Sequence, residues 1–199
     1  DIDELYSALS AASFDVVFHF AAMIEAGESM EKPEVYFRNN VAYSRNVIEA
    51  TIQTGCDHFV FSSSAAVYAS CSQPLHEEST LGPVNVYGET KLMVERMLHW
   101  YQKVYGLRYA ALRYFNACGA LTDRGEAHQP ETHLIPRVLQ VALGKREHIP
   151  IYGNDYPTPD GSCVRDYIHI ADLTDAHLLA ATVLEKCETA VYNIGTGTG

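Results

Sequence analysis

Five short runs rich in apolar residues, separated from one another by helix-patterned segments, constrain this 199-residue chain more than any other feature. Asp15 to Ala22 is closed by small residues and reads as a buried parallel strand whose end a ligand can approach closely. Pro33 to about Thr54 reads as a helix, with Pro33 near its start and Gly55 past its end. His58 to Ser63 is a second buried strand, and residues 69–83 are loop-like. Val84 to Tyr105 is a long helix stopped by Gly106, followed by a third strand from Arg108 to Phe115. Strand–helix–strand alternation of this kind is the pattern of a doubly wound parallel α/β sheet. Such sheets bind ligands at the C-terminal strand edges, where Ala21, Ser64 and Phe115 fall.

Beyond Asn116 the character changes. Residues 117–131 are polar and loop-like, a helix runs from about Thr132 to Gly144, and His148 to Gly153 reads as a short strand. A turn-rich stretch spans Asn154 to Ser162, with Asp155 and Asp160 as turn formers. Ile170 to Lys186 is a helix and Ala190 to Ile194 the fifth run, another strand. The expected division is a sheet domain over 1–116 and part of a smaller substrate lobe over 117–199, with 164–199 packing back on the sheet.

An apolar fraction of 47% with 20% charged residues suits a soluble globular protein. No apolar run approaches the length of a membrane span. The net charge of −11 argues against nucleic acid or an anionic membrane as partner, but not against a small anionic ligand held by a few local cations. Five scattered Cys without a CxxC point to reduced thiols and a cytoplasmic location. The nine His show neither HxxxH nor HExxH spacing, so no metal is expected.

Tyr87 and Lys91 stand four residues apart in the long helix, about 40° apart around its axis, so both project from one face. A phenol beside an ammonium is what proton abstraction from an alcohol requires. The cation favours the phenolate and moves its titration down from near pH 10. With 13 Tyr in the chain, chance also supplies such a spacing. Upstream, Phe61-Ser62-Ser63-Ser64 ends an apolar run and offers a hydroxyl to the same oxygen, although serines at a strand end also cap their own backbone.

That Ser, Tyr and Lys set resembles the short-chain dehydrogenase/reductase superfamily. The surrounding words are similar to its extended branch and, within it, to the UDP-glucose 4-epimerase family. They include His19-Phe20-Ala21-Ala22, Gly27-Glu28-Ser29, Lys32-Pro33, Asn39-Asn40-Val41 and the stretch Phe61 to Tyr68. Further along come Leu112 to Asn116, His133-Leu134-Ile135-Pro136, Gly153 to Tyr156 and Val164 to His169. The resemblance runs from about Asp15 to the last residue. It implies a Rossmann-like NAD-binding sheet. The family's Gly-rich nucleotide turn has no counterpart before Asp15, and the family continues past Gly199, so the chain reads as an internal fragment.

The resemblance also implies roles. NAD takes hydride from C4 of a UDP-hexose while Tyr87 removes the 4-hydroxyl proton. Lys91 tunes Tyr87 and holds ribose, and Ser64 steadies the 4-oxygen. The 4-keto sugar then turns over and takes the hydride back. Phe20, Ala21, Ala22, Met23, Ile24, Asn39 and Phe115 join Ser64, Tyr87 and Lys91 on the cofactor side. Ile24 stands where the best-known bacterial member has Lys. On the substrate side the implied contacts, besides Ser64 and Tyr87, are Asn116, His133, Leu134, Arg165 and the strand Pro150-Ile151-Tyr152 carrying the uracil. His133 stands where many members have Asn. Arg165 offers a forked donor to a diphosphate, and a surface pair with Asp166 is its plain alternative. A homodimer through helices 33–54 and 84–105 is implied. A UDP-pentose or UDP-uronate 4-epimerase is the nearest rival, followed by a non-catalytic sugar-nucleotide binding protein. Ala65-Ala66 after Ser64 speaks against a 4,6-dehydratase, which places an acidic pair there.

Overall fold

A computed structural model describes residues 2–199. They fall into two compact units, one running to Phe115 and resuming over Thr174–Ile194, the other comprising Asn116–Leu173 and Gly195–Gly199. Among the described residues no helix is long and apolar enough to cross a membrane.

The first unit is built on a four-stranded parallel sheet of β1 (Val17–His19), β2 (His58–Ser64), β3 (Arg108–Tyr114) and β6 (Thr189–Ile194), in the order β1–β2–β3–β6. Side chains alternate across each strand, and both faces are apolar. Phe59, Phe61, Tyr109 and Ala111 pack with Ile48, Val94 and Leu98 from helices α4 (Ser44–Gln53) and α5 (Val86–Tyr105). Val60, Ala110, Leu112 and Ala190 point the other way and pack with Ala180 and Leu184 of α7 (Ile170–Leu184). Helices on both faces of a parallel sheet make the expected doubly wound, Rossmann-like fold.

Helix α5 owes its bounds to local chemistry. The Asn85 side chain caps the N-terminus by accepting from Gly88 N at 2.8 Å, and Gly106 closes the other end in the left-handed conformation at φ 76°. Two further helices precede the sheet's second strand, α2 (Ala26–Glu31) and α3 (Pro33–Tyr36), and α1 (Ile2–Ser10) opens the described chain. The helix expected as one piece over 33–54 is α3, then a seven-residue π-helical stretch Phe37–Tyr43, then α4. A hydrophobic period near 3.6 does not distinguish that widened turn from ordinary helix.

In the second unit, β4 (Asn116–Cys118) pairs in parallel with β5 (Tyr167–His169), and α6 spans Leu134–Ala142. The strand expected over His148–Gly153 does not form: residues 148–153 are irregular, and Ile151 and Tyr152 are 83% and 87% exposed. No strand pairs with this segment among the described residues, so its backbone groups go unladdered and apolar composition alone does not make it a strand.

Candidate functional site

The C-terminal ends of β1 and β2 and the first turns of α5 bring Ser64, Tyr87 and Lys91 together. Tyr87 lies in the first turn of α5, and its backbone is fixed at both ends. Ser29 Oγ accepts from Tyr87 N at 3.1 Å, and Thr90 Oγ1 donates to Tyr87 O at 2.7 Å. Gly88 next to it packs so closely on the turn after β2 that a Cβ there would lie 2.2 Å from the Ala66 carbonyl oxygen. One turn further on, Lys91 is 4% exposed, and its Nζ donates to Ser62 O at 2.7 Å. That nitrogen sits 4.9 Å from the Phe61 ring centre and 5.8 Å from the Tyr87 ring centre. Ser64 closes β2, where its Oγ accepts from Ala66 N at 3.2 Å.

The charges respond to this burial. Burial pushes the Tyr87 phenol up, and a hydrogen bond with the Ser64 side chain pulls it back without reversing the direction. This is opposite to the lowering expected from a neighbouring cation, because desolvation of the phenolate is the largest effect on this group. Burial also brings the Lys91 ammonium down to about 8, against the nearby Glu95 carboxylate, which raises it. His19, at the end of β1, is brought down to about 4 by burial and then by the Lys91 charge. Its Nε2 lies 2.7 Å from Ser44 Oγ, so this imidazole is neutral at working pH.

Phe20 and Ile24 stay exposed despite being large and apolar, with Ala21 exposed and Ala22 and Met23 half-buried between them. The backbone of this segment is held by Asn40, next to the Asn39 read from the sequence as a cofactor contact. Asn40 Oδ1 accepts from Met23 N at 2.8 Å, and Nδ2 donates to Met23 O at 2.9 Å and to Thr90 Oγ1 at 3.1 Å. Asn40 thereby ties the segment to the first turn of α5. Asn39 is half-buried in the same π-helical stretch. The Phe20 ring also lies tilted 4.6 Å from the buried His177, whose Nε2 lies 3.4 Å from Ser62 Oγ, and the Tyr114 ring lies 6.0 Å from the same imidazole. Phe115, half-buried, follows β3.

This edge suits a dinucleotide. Lys91 Nζ carries three N–H donors, and among the described residues only Ser62 O takes one, so a buried ammonium keeps donors for a ligand hydroxyl. Small Ala21 and Ala22 allow close approach, and Phe20 and Ile24 supply flat apolar surface beside them.

In the second unit, Leu134 and Arg165 line one cavity of about 530 Å³ together with Thr158, Asp160, Cys163 and Tyr167. Arg165 makes no hydrogen bond or ion pair among the described residues. Its neighbour Asp166 is engaged elsewhere, accepting from Thr196 N at 2.8 Å and Gly197 N at 2.9 Å. The Arg165–Asp166 pair is therefore absent among the described residues. Asn116 Nδ2 donates to Asp166 O at 2.8 Å, fastening β4 to β5. His133 precedes α6, and its Nδ1 lies 2.9 Å from Glu131 Oε1. Glu126, Glu131 and His133 place one ligand-capable atom each within 4.8 Å of one another, with Glu131 already engaged by His133. Pro150, Ile151 and Tyr152 lie outside the residues that line the cavity.

The profile of the NAD dependent epimerase/dehydratase family matches residues 1–195. A UDP-glucose 4-epimerase of Halalkalibacterium halodurans is 49% identical over 191 residues, which cover 94% of this chain and 57% of that protein. The crystal structure of a UDP-glucose 4-epimerase from Brucella ovis in complex with NAD superposes on the whole chain with a TM-score of 0.96 at 45% identity, covering 62% of that protein. A UDP-glucose 4-epimerase structure from Stenotrophomonas maltophila with bound NAD and formylated UDP-arabinopyranose gives 0.93 at 38% identity, over 100% of this chain and 61% of that one. The chain thus spans about 57% of the length of the curated relative first named.

Proposed function

The chain belongs to the NAD dependent epimerase/dehydratase family, and from that premise we propose that the whole protein interconverts UDP-glucose and UDP-galactose at C4 of the sugar. The observation that carries this reading is the convergence of Ser64, Tyr87 and Lys91 on one sheet edge, beside the segment 20–24 with its exposed Phe20, Ala21 and Ile24. NAD supplies a hydride acceptor and donor there. Phe20 to Ile24, Asn39, Lys91 and Phe115 would hold it, with Asn40 fixing the backbone of that segment from behind.

Tyr87 takes the proton of the sugar hydroxyl. Burial alone holds the phenol protonated, so proton abstraction depends on the cation beside it. The Lys91 ammonium over the Tyr87 ring favours the phenolate, and its tie to Ser62 O keeps it in place. The Ser64 hydroxyl, beside the Tyr87 phenol, turns to donate to the same substrate oxygen and orients it. Arg165, with Leu134 in the same cavity, binds the diphosphate, and Asn116 and His133 complete the substrate side with 150–152. The second unit is then the substrate lobe, and the full-length protein is a cytoplasmic homodimer.

The test is a coupled assay of UDP-galactose conversion to UDP-glucose by the full-length protein. Conversion without net redox change is expected, and its absence would overturn the proposal. A relative's structure with a UDP-pentose bound favours including UDP-arabinose in the same assay. Faster turnover of the pentose would move the assignment to that sugar.

A further inference from the structure

Tyr87, Lys91 and Glu95 follow one another at four-residue spacing along α5, and four residues of helix rise about 6 Å. Each meets one residue of the Ser62-Ser63-Ser64 end of β2. The Ser64 side chain lies beside the Tyr87 phenol, Ser62 O accepts from Lys91 Nζ at 2.7 Å, and Ser63 Oγ donates to Glu95 Oε1 at 2.5 Å. Arg113 stands opposite Ser63 in the β2–β3 register and closes on the same carboxylate. Its Nε donates to Glu95 Oε1 at 3.0 Å and its Nη2 to Oε2 at 2.5 Å. The guanidinium also donates through Nη1 to Tyr68 Oη at 2.9 Å and Glu77 O at 3.1 Å, and Tyr68 Oη donates onward to Asn193 Oδ1 at 2.6 Å on β6. Ser63, Glu95 and Arg113 are all buried.

A buried ion pair is poor evidence of stability, because desolving two charges offsets their attraction, and apolar residues of similar volume often serve as well. What such a pair does supply is a unique geometry. We propose that Ser63, Glu95 and Arg113 are positioning residues that lock the axial register of α5 on β2 and so set the placement of Tyr87 and Lys91 against Ser64. This rests on the reading of Tyr87 as the proton acceptor. A misplacement of about 1 Å is enough to cost on the order of 10²-fold in rate, less than the rise of one helical residue. Glu95 has a second effect through charge. The titratable groups facing Lys91 are Tyr87 and Glu95 from α5 and the neutral His19 from β1, while Arg113 on β3 is committed to Glu95. Among them Glu95 is the carboxylate that opposes the loss of the Lys91 proton.

The test uses the full-length protein with Ser63→Ala and Glu95→Gln, reading kcat and KM for UDP-galactose together with the titration of Lys91 by ¹³C NMR of ε-carbon-labelled lysine. Lys91→Met assigns the resonance. Ser63→Ala, which removes one hydroxyl and leaves the ion pair, should lower kcat by about tenfold while KM stays within about twofold, the pattern of a displaced catalytic group. Glu95→Gln should move the Lys91 titration to lower pH. A purely structural role would lower the melting temperature and leave both readouts alone. Wild-type kcat in folded Ser63→Ala would overturn the positioning role, and an unmoved Lys91 titration in Glu95→Gln would overturn the charge effect. If Glu95→Gln does not fold, the kcat of Ser63→Ala decides. If the wild-type protein epimerises nothing, the proposed function fails, and the Lys91 titration still decides whether Glu95 acts on it.

Discussion

Replacing His19 by glutamine should flatten the acid side of the protein's stability profile, and the size of the effect follows from the burial of this imidazole. His19 is buried at the end of β1, with Nε2 2.7 Å from Ser44 Oγ and its ring stacked 6.0 Å from Phe61. Burial first, and the Lys91 charge second, bring it from 6.5 to about 4. The unfolded chain therefore binds a proton that the folded chain refuses. Its contribution is fully present above the ordinary histidine value and is lost as pH falls from there toward 4. A gap of about 2.5 pH units at about 1.4 kcal/mol each is worth about 3 kcal/mol when fully expressed, and about 2 kcal/mol of it is lost between about pH 7 and about pH 5. Glutamine reaches Ser44 without titrating. Urea unfolding of the full-length protein at those two pH values should show the wild type losing about 2 kcal/mol more than His19→Gln. Equal losses would show that His19 does not stay neutral in the folded state.

Gly88→Ala should destabilise by about 1–3 kcal/mol, because its Cβ would press on the backbone oxygen of Ala66 and neither partner is a flexible side-chain end. Gly27→Ala, with nothing within 4 Å, should be neutral or stabilising in a urea melt by up to about 1 kcal/mol, and equal effects at the two sites would contradict the packing described. Asn40→Ala should cost about 1–3 kcal/mol and loosen 20–24, read as faster amide exchange at Met23, whose N–H would lose its acceptor. Lys91→Met should shift the rising limb of the pH–rate curve toward alkaline pH, and an unchanged profile would remove Lys91 from the role assigned to it.

The sheet was legible because its apolar runs are buried on both faces and need no partner information to stand out. Tyr87 and Lys91 were legible because helix geometry alone puts residues four apart on one face. The direction of the Tyr87 shift was not, since spacing reveals a nearby cation but not the burial that dominates the phenol. The β4–β5 pair was hidden as well, being three residues on each side with partners some fifty positions apart. Residues 148–153 show the converse error, an apolar segment read as a strand with no strand to pair it. Asn40 and Glu95 do their work through contacts 50 and 32 residues away in sequence, with Thr90 and Ser63. Glu95 did carry a visible signal, the next four-residue step after Tyr87 and Lys91, and in the Asn39-Asn40 pair the intramolecular role of Asn40 was hidden because its partners lie 17 and 50 positions away.

The central claim is that Tyr87 is the proton acceptor, and Tyr87→Phe in the full-length protein tests it most directly, because it deletes one oxygen and keeps the ring. Steady-state epimerisation of UDP-galactose should fall by about 10² or more, while UDP-sugar affinity measured by calorimetry stays close to that of the wild type. Full turnover by Tyr87→Phe would contradict the account and return Tyr87 and Lys91 to the many tyrosine–lysine pairs that share a helix face by chance.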